Sequence, residues 1–139
     1  MKKYVVRGAV VLAGLMTGVV FAVVVYEWAS FRDARLETHS FSHDGRDRTF
    51  HLYVPTANGG TEGKPLVVAL HRFAETGKRM SKLTGFTDLA EEAGFVVVYP
   101  EGIGRRWNTR MFGSETVDDV GYIKALTAHL VETYGLDAS

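Results

Sequence analysis

The chain has 139 residues, with 16 Lys+Arg balancing 16 Asp+Glu, so no summed positive field draws it to nucleic acid. It has no cysteine, which excludes disulfide staples, thiolate zinc sites and a cysteine nucleophile. The first thirty residues differ so much from the remainder that only about 110 are left for one small globular domain.

Lys2, Lys3 and Arg7 precede Gly8 to Tyr26, a run of 19 uncharged residues. Such a run matches the length of a membrane-crossing helix, about 20 residues at roughly 1.5 Å each. Basic residues before it place the N-terminus in the cytoplasm and send the rest outward. Residues 1–30 are therefore expected to be a transmembrane anchor or signal helix, and 31–37 a charged linker. The run ends without a small-x-small cleavage site, which favours an anchor that is not cut. Tyr26 and Trp28 would sit at the outer interface. Gly14 and Gly18 form a small-xxx-small pair of a kind that is common in such helices. The protein is thus expected outside the cytoplasm, tethered to the membrane or secreted.

Residues 38–139 read as one α/β unit. Glu37 to Phe41 and Thr49 to Val54 flank Asp44-Gly45, the pattern of a β-hairpin. In the second strand Phe50, Leu52 and Val54 share one face, with Thr49, His51 and Tyr53 on the other. Ala57 to Lys64 is a polar, Gly-rich loop. Leu66 to Leu70 is a continuous apolar run, as expected of an interior strand covered on both faces. Met80 to Ala93 places Leu83, Phe86, Leu89, Ala90 and Ala93 at helical spacing, with Gly85 inside it and Gly94 as C-terminal cap. Phe95 to Tyr99, closed by Pro100, is a second apolar strand. The strand, helix, strand order makes the two strands parallel with a right-handed crossover.

Glu101 to Val117 is a long loop with no sustained periodicity, of the kind that shapes binding sites. Asp118 or Asp119 caps the last helix, whose stripe is Val120, Ile123, Ala125, Leu126, Leu130 and Tyr134, and Gly135 stops it. The two aspartates read as caps rather than as general acids. His39 and His43, four apart, lack further ligands, so no metal is expected, and no cofactor either. Arg105, Arg106 and Arg110 around Trp107 could hold an anionic or aromatic group, although loop arginines commonly lie in solvent.

The strings Arg48-Thr-Phe-His-Leu-Tyr-Val-Pro55, Lys64-Pro-Leu-Val-Val-Ala-Leu-His71 and Gly94-Phe-Val-Val-Val-Tyr-Pro-Glu-Gly102 resemble the poly(3-hydroxybutyrate) depolymerase and feruloyl-esterase-like group of α/β-hydrolases. Trp107-Asn108 and Val117-Asp-Asp-Val-Gly-Tyr-Ile123 are similar to two further blocks of that group, in the same order. The resemblance implies an α/β-hydrolase fold, here incomplete: a β-hairpin, then strand, helix, strand, helix on a mixed sheet. It implies an oxyanion loop at His71, Arg72 and Phe73, with the Phe73 backbone N–H as donor, and a substrate loop at Trp107 and Asn108.

Members of the group place a Gly-x-Ser-x-Gly elbow on the next strand, then the acid and histidine. None of the six serines here has the two flanking glycines. The expectation is the N-terminal part of an ester hydrolase, without catalytic residues of its own and inactive alone. Its partners would be an ester substrate once completed, the membrane, and a complementing chain at the Leu66 to Leu70 edge. Where the group has glycines, this loop has Arg72, Phe73, Ala74 and Glu75, which predicts backbone strain and an obstructed oxyanion site. Two other readings stand beside it. One is a non-catalytic, membrane-tethered binding module or remnant. The other, a complete flavodoxin-like domain, lacks a phosphate-binding glycine loop after either parallel strand.

Overall fold

The computed structural model describes residues 35–57, 59–109 and 117–137. The expected membrane helix and most of the linker lie outside these residues, as does Arg110. Among the described residues no helix is long and apolar enough to cross a membrane.

Strands β1 (Glu37–His43) and β2 (Arg46–Tyr53) pair antiparallel with His43 opposite Arg46. The two residues between them, Asp44 and Gly45, both have positive φ, 51° and 68°. That is the two-residue turn whose twist matches the strands it joins, and Asp-Gly is suited to it. β3 (Leu66–Val68) is followed by α1 (Gly77–Thr84), α2 (Phe86–Ala93) and β4 (Val96–Pro100). β4 pairs antiparallel with β2 and parallel with β3, giving the sheet order β1-β2-β4-β3. α3 (Asp119–Tyr134) completes the expected strand, helix, strand, helix series on a mixed sheet.

Both sheet faces are covered. Phe50, Leu52, Val96 and Val98 pack with Tyr122, Leu126, Leu130 and Leu136 on the α3 side. Tyr53, Val97, Tyr99 and Ala69 pack with Ala90, Phe86 and Met80 on the other. β4 is therefore buried at all five positions, which explains its unbroken apolar sequence. β2 is enclosed as well: His51 and Tyr53, on the face opposite Phe50 and Leu52, are only 4% exposed.

Several local expectations are corrected. The helix expected over 80–93 is two helices, because Gly85 adopts φ 63° and caps α1 through its N–H to the Ser81 carbonyl. The break rotates the apolar stripe, so Leu83 and Leu89 face solvent while Ala90 is fully buried. A chain of buried hydroxyls, Ser81 to Thr87 at 3.0 Å and Thr87 to Tyr99 at 3.1 Å, ties the two helices to β4. In α3 the inward row is Tyr122, Leu126 and Leu130, whereas Val120 is 65% exposed. Asp118 caps this helix by accepting from the Gly121 N–H at 2.8 Å, and Asp119 does not.

The run Leu66 to Leu70 yields only a three-residue strand, which is the last of the sheet among the described residues. Among the described residues β3 has a strand partner on one side only. Its residues are half-buried and Leu70 is exposed.

Candidate functional site

The parallel strands β3 and β4 end side by side, and the loops that leave them, 69–76 and 101–107, face each other. In open α/β sheets the carboxyl ends of the strands are where ligands bind. His71 is the junction of the two loops and is 2% exposed. Its Nδ1 meets the Arg72 carbonyl at 2.8 Å, and the Gly102 N–H donates to its Nε2 at 2.9 Å. These contacts fix a neutral imidazole protonated on Nδ1. The Glu101 Oε2, 3.7 Å from Nε2, is therefore a neighbour and not an ion-pair partner. With both ring nitrogens engaged, His71 cannot act as a base; it holds the loop in shape.

Glu101 clamps the far end of the same loop. Its Oε1 accepts from the Gly77 N–H at 2.8 Å, the first residue of α1, and from His51 Nε2 at 3.0 Å. His51 Nδ1 in turn meets the Thr38 hydroxyl at 3.0 Å. The Trp107 indole N–H donates to the His71 carbonyl at 2.9 Å, and the two rings lie 5.0 Å apart. Residues 71 and 77 are thus both anchored to the 101–107 segment.

Between these anchors, Ala74 and Arg105 hold left-handed backbone at φ 64° and 58° without being glycine. The Ala74 N–H donates to the Arg105 carbonyl at 2.8 Å, so the two strained residues lock each other. Such conformations cost on the order of 1 to 2 kcal/mol each and cluster at functional loops.

A second buried group supports the 101–119 side. Arg48 Nη2 donates to Asp119 Oδ1 at 2.7 Å and to the Glu101 carbonyl at 3.2 Å, and its guanidinium lies 4.0 Å from the Tyr122 ring centroid. Burial pushes the Tyr122 hydroxyl up to about 12, so it stays a neutral phenol against the Thr49 carbonyl. Asp119 Oδ2 accepts from the Asn108 N–H, and the Asn108 amide donates to the Val117 carbonyl at 3.0 Å.

Trp107 and Asn108 line one side of a cavity of about 360 Å³, with Leu70, Asp119, Val120 and Ile123. The structure thus brings His71, Trp107 and Asn108 together at one end of the sheet. Arg72 and Phe73 do not line that cavity. The Arg72 guanidinium points into solvent and grips Glu75 with two hydrogen bonds, 2.6 and 3.1 Å. This bond, aided by Arg79, holds the Glu75 carboxyl below its usual range. The Phe73 side chain is 64% exposed. The strain expected from glycine replacement falls on Ala74, not on Arg72. His39 lies against Glu37 and His43 against Asp118, so the two histidines do not converge. Among the described residues no cluster of three or more His, Cys, Asp or Glu could hold a metal.

The sequence reading missed Arg48, His51, Glu101 and the ion-pairing role of Asp119. Alternation over Thr49 to Val54 assigned His51 no function, and Arg48 entered only as the first residue of a family-like string. The available signal was a glutamate directly after the strand-ending Pro100; Arg48, among Arg46, Asp47 and Thr49, had nothing local to set it apart.

These elements, their order and the pinned loop after β3 define part of an α/β-hydrolase fold. An acetyl xylan esterase from Aspergillus awamori superposes with a TM-score of 0.59 at 22% identity, over 74% of this chain and 39% of that one. The S-formylglutathione hydrolase FrmB from Staphylococcus aureus does so with a TM-score of 0.57 at 11% identity, over 73% and 42%. In sequence, the chain is 32% identical over 65 residues to NocK of Nocardia uniformis subsp. tsuyamanensis, a protein named as an esterase. That match covers 46% of this chain and 19% of NocK. The chain therefore spans less than half of each of these proteins. No family model matches it.

Proposed function

We propose that the chain is the oxyanion-loop portion of a carboxylic-ester hydrolase, of the polyhydroxybutyrate depolymerase and feruloyl-esterase-like kind. The observation that carries this reading is the loop from His71 to Gly77, fixed at the carboxyl end of a parallel strand by His71, Glu101 and Trp107. A backbone N–H there, at Arg72 or Phe73, would stabilise the oxyanion that forms when an ester carbonyl is attacked. Trp107 and Asn108 would form the substrate wall. The 139 residues contain no Gly-x-Ser-x-Gly, so the attacking serine would be supplied from outside them, and the chain alone would be silent. Export and membrane tethering through residues 1–30 belong to the same proposal; an alkaline phosphatase fused after Ser139 should be active, and an inactive fusion would place the domain inside the cytoplasm.

The test is hydrolysis of p-nitrophenyl acetate. The full chain alone should match a heat-denatured control. Co-purified with a segment that provides the Gly-x-Ser-x-Gly strand, acid and histidine of an α/β-hydrolase, it should turn over substrate. Turnover by the chain alone, or a folded complex without turnover, would overturn the proposal. The second outcome would favour a non-catalytic binding module, to which the Arg72–Glu75 pair and the protruding Phe73 also point.

A further inference from the structure

We infer that His51, on β2, is the positioning residue of the loop from His71 to Gly77 and acts on it through Glu101. This role rests on the hydrolase reading of that loop, and it falls to a residue that neither lines the cavity nor belongs to either loop. Glu101 is pinned to β2 at three points: its N–H donates to the Thr49 carbonyl at 2.9 Å, its carbonyl accepts from Arg48 at 3.2 Å, and its Oε1 meets His51 Nε2 at 3.0 Å. The first two fix the backbone, and only the third aims the carboxylate. The same Oε1 accepts from the Gly77 N–H at 2.8 Å, so the His51 side chain decides where the far end of the loop is held.

The geometry leaves little slack. A carboxylate only accepts, so His51 Nε2 carries a proton, and Nδ1 is held in turn by the Thr38 hydroxyl of β1 at 3.0 Å. With both nitrogens engaged in a buried site, the ring has one orientation. Its Cδ2 also backs onto Gly77, where a Cβ would lie 3.1 Å from it and 2.7 Å from the Tyr99 carbonyl oxygen. Gly77 is therefore both tied and walled in by the strands beneath it. Between this tie and His71, the left-handed Ala74 persists only while both ends of the loop are held, because a strained backbone relaxes when its surroundings allow. A reacting group displaced by about 1 Å can lose on the order of 100-fold in rate, so β2 sets whether a backbone N–H of this loop stands in place for chemistry.

Amide exchange of the full chain in detergent reads this tie without any nucleophile. In His51→Leu the Gly77 and Ala74 amides should exchange about 10-fold faster while those of β4 keep their protection, and His51→Gln, whose amide N–H can replace Nε2–H, should restore the parent rates. Thr38→Val is a change at an exposed position that keeps the fold intact even where a buried leucine does not. It should shift the His51 imidazole resonances and speed Gly77 exchange about 2-fold. Complemented as above, His51→Leu should lower kcat for p-nitrophenyl acetate about 10-fold with KM unchanged, again with rescue by His51→Gln. Parent-like Gly77 exchange in His51→Leu and Thr38→Val, or no rescue by His51→Gln, would overturn the inference and leave the hydrolase proposal standing. A complemented parent without turnover would instead sink the hydrolase proposal, and the positioning role with it, whatever the exchange shows.

Discussion

Glu91 on α2 accepts four hydrogen bonds, from the Tyr53 hydroxyl at 2.5 Å, the Thr56 N–H and hydroxyl at 2.9 and 2.7 Å, and the Ala57 N–H at 3.0 Å. The Tyr53 bond above all, then those of Thr56, lowers its carboxyl from 4.5 to about 2. A folded value below the unfolded one means that this stabilisation is complete above about pH 4.5 and fades as pH falls toward 2. Thermal melts should therefore show Glu91→Gln less stable than the parent above pH 5, with the gap closing near pH 2. A gap that is constant across that range would contradict the assignment.

The Arg48–Asp119 pair behaves differently, because both side chains are buried, 4% and 8% exposed. Removing one partner leaves a charge without compensation in a dry site. Asp119→Asn should cost about 3 to 5 kcal/mol in urea unfolding, and the apolar double replacement Arg48→Met with Asp119→Leu should recover much of it. A double variant as unstable as the single one would mean that the pair itself, and not the stranded charge, carries the stability.

At the scale of elements, two glycines do different work. Gly85 supplies the left-handed hinge between α1 and α2, and a Cβ there would meet nothing within 4 Å. Gly85→Ala should cost only the conformational penalty, about 1 kcal/mol. Gly102 has ordinary negative φ, but a Cβ would overlap the Arg106 carbonyl and sit 2.9 Å from its carbon. Gly102→Ala must move the backbone, and with it the N–H that holds His71. Its melting temperature should fall further than that of Gly85→Ala, and the His71 imidazole resonances should shift in the Gly102 variant alone. Equal effects would show that the 101–107 loop gives way easily. The hairpin was legible because Asp44-Gly45 meets its dihedral demand locally. The split at Gly85 was not, since the apolar spacing on either side fits one continuous helix; only packing against β4 shows which half faces inward.

For the whole molecule, the strand order β1-β2-β4-β3 is a property that no single element carries. Composition excluded cysteine chemistry, periodicity placed the parallel strands and the final helix, and five ordered motifs pointed to the hydrolase fold and to His71, Trp107 and Asn108. All of these are local: turn dihedrals, apolar runs, caps and short strings are written in neighbouring residues. The tertiary structure alone decided that Glu101 reaches His51 across 50 positions and that Arg48 reaches Asp119 across 71. Such contacts depend on where separate elements meet, and a polar side chain that will be buried by a distant partner reads, within its own strand, like one that faces water.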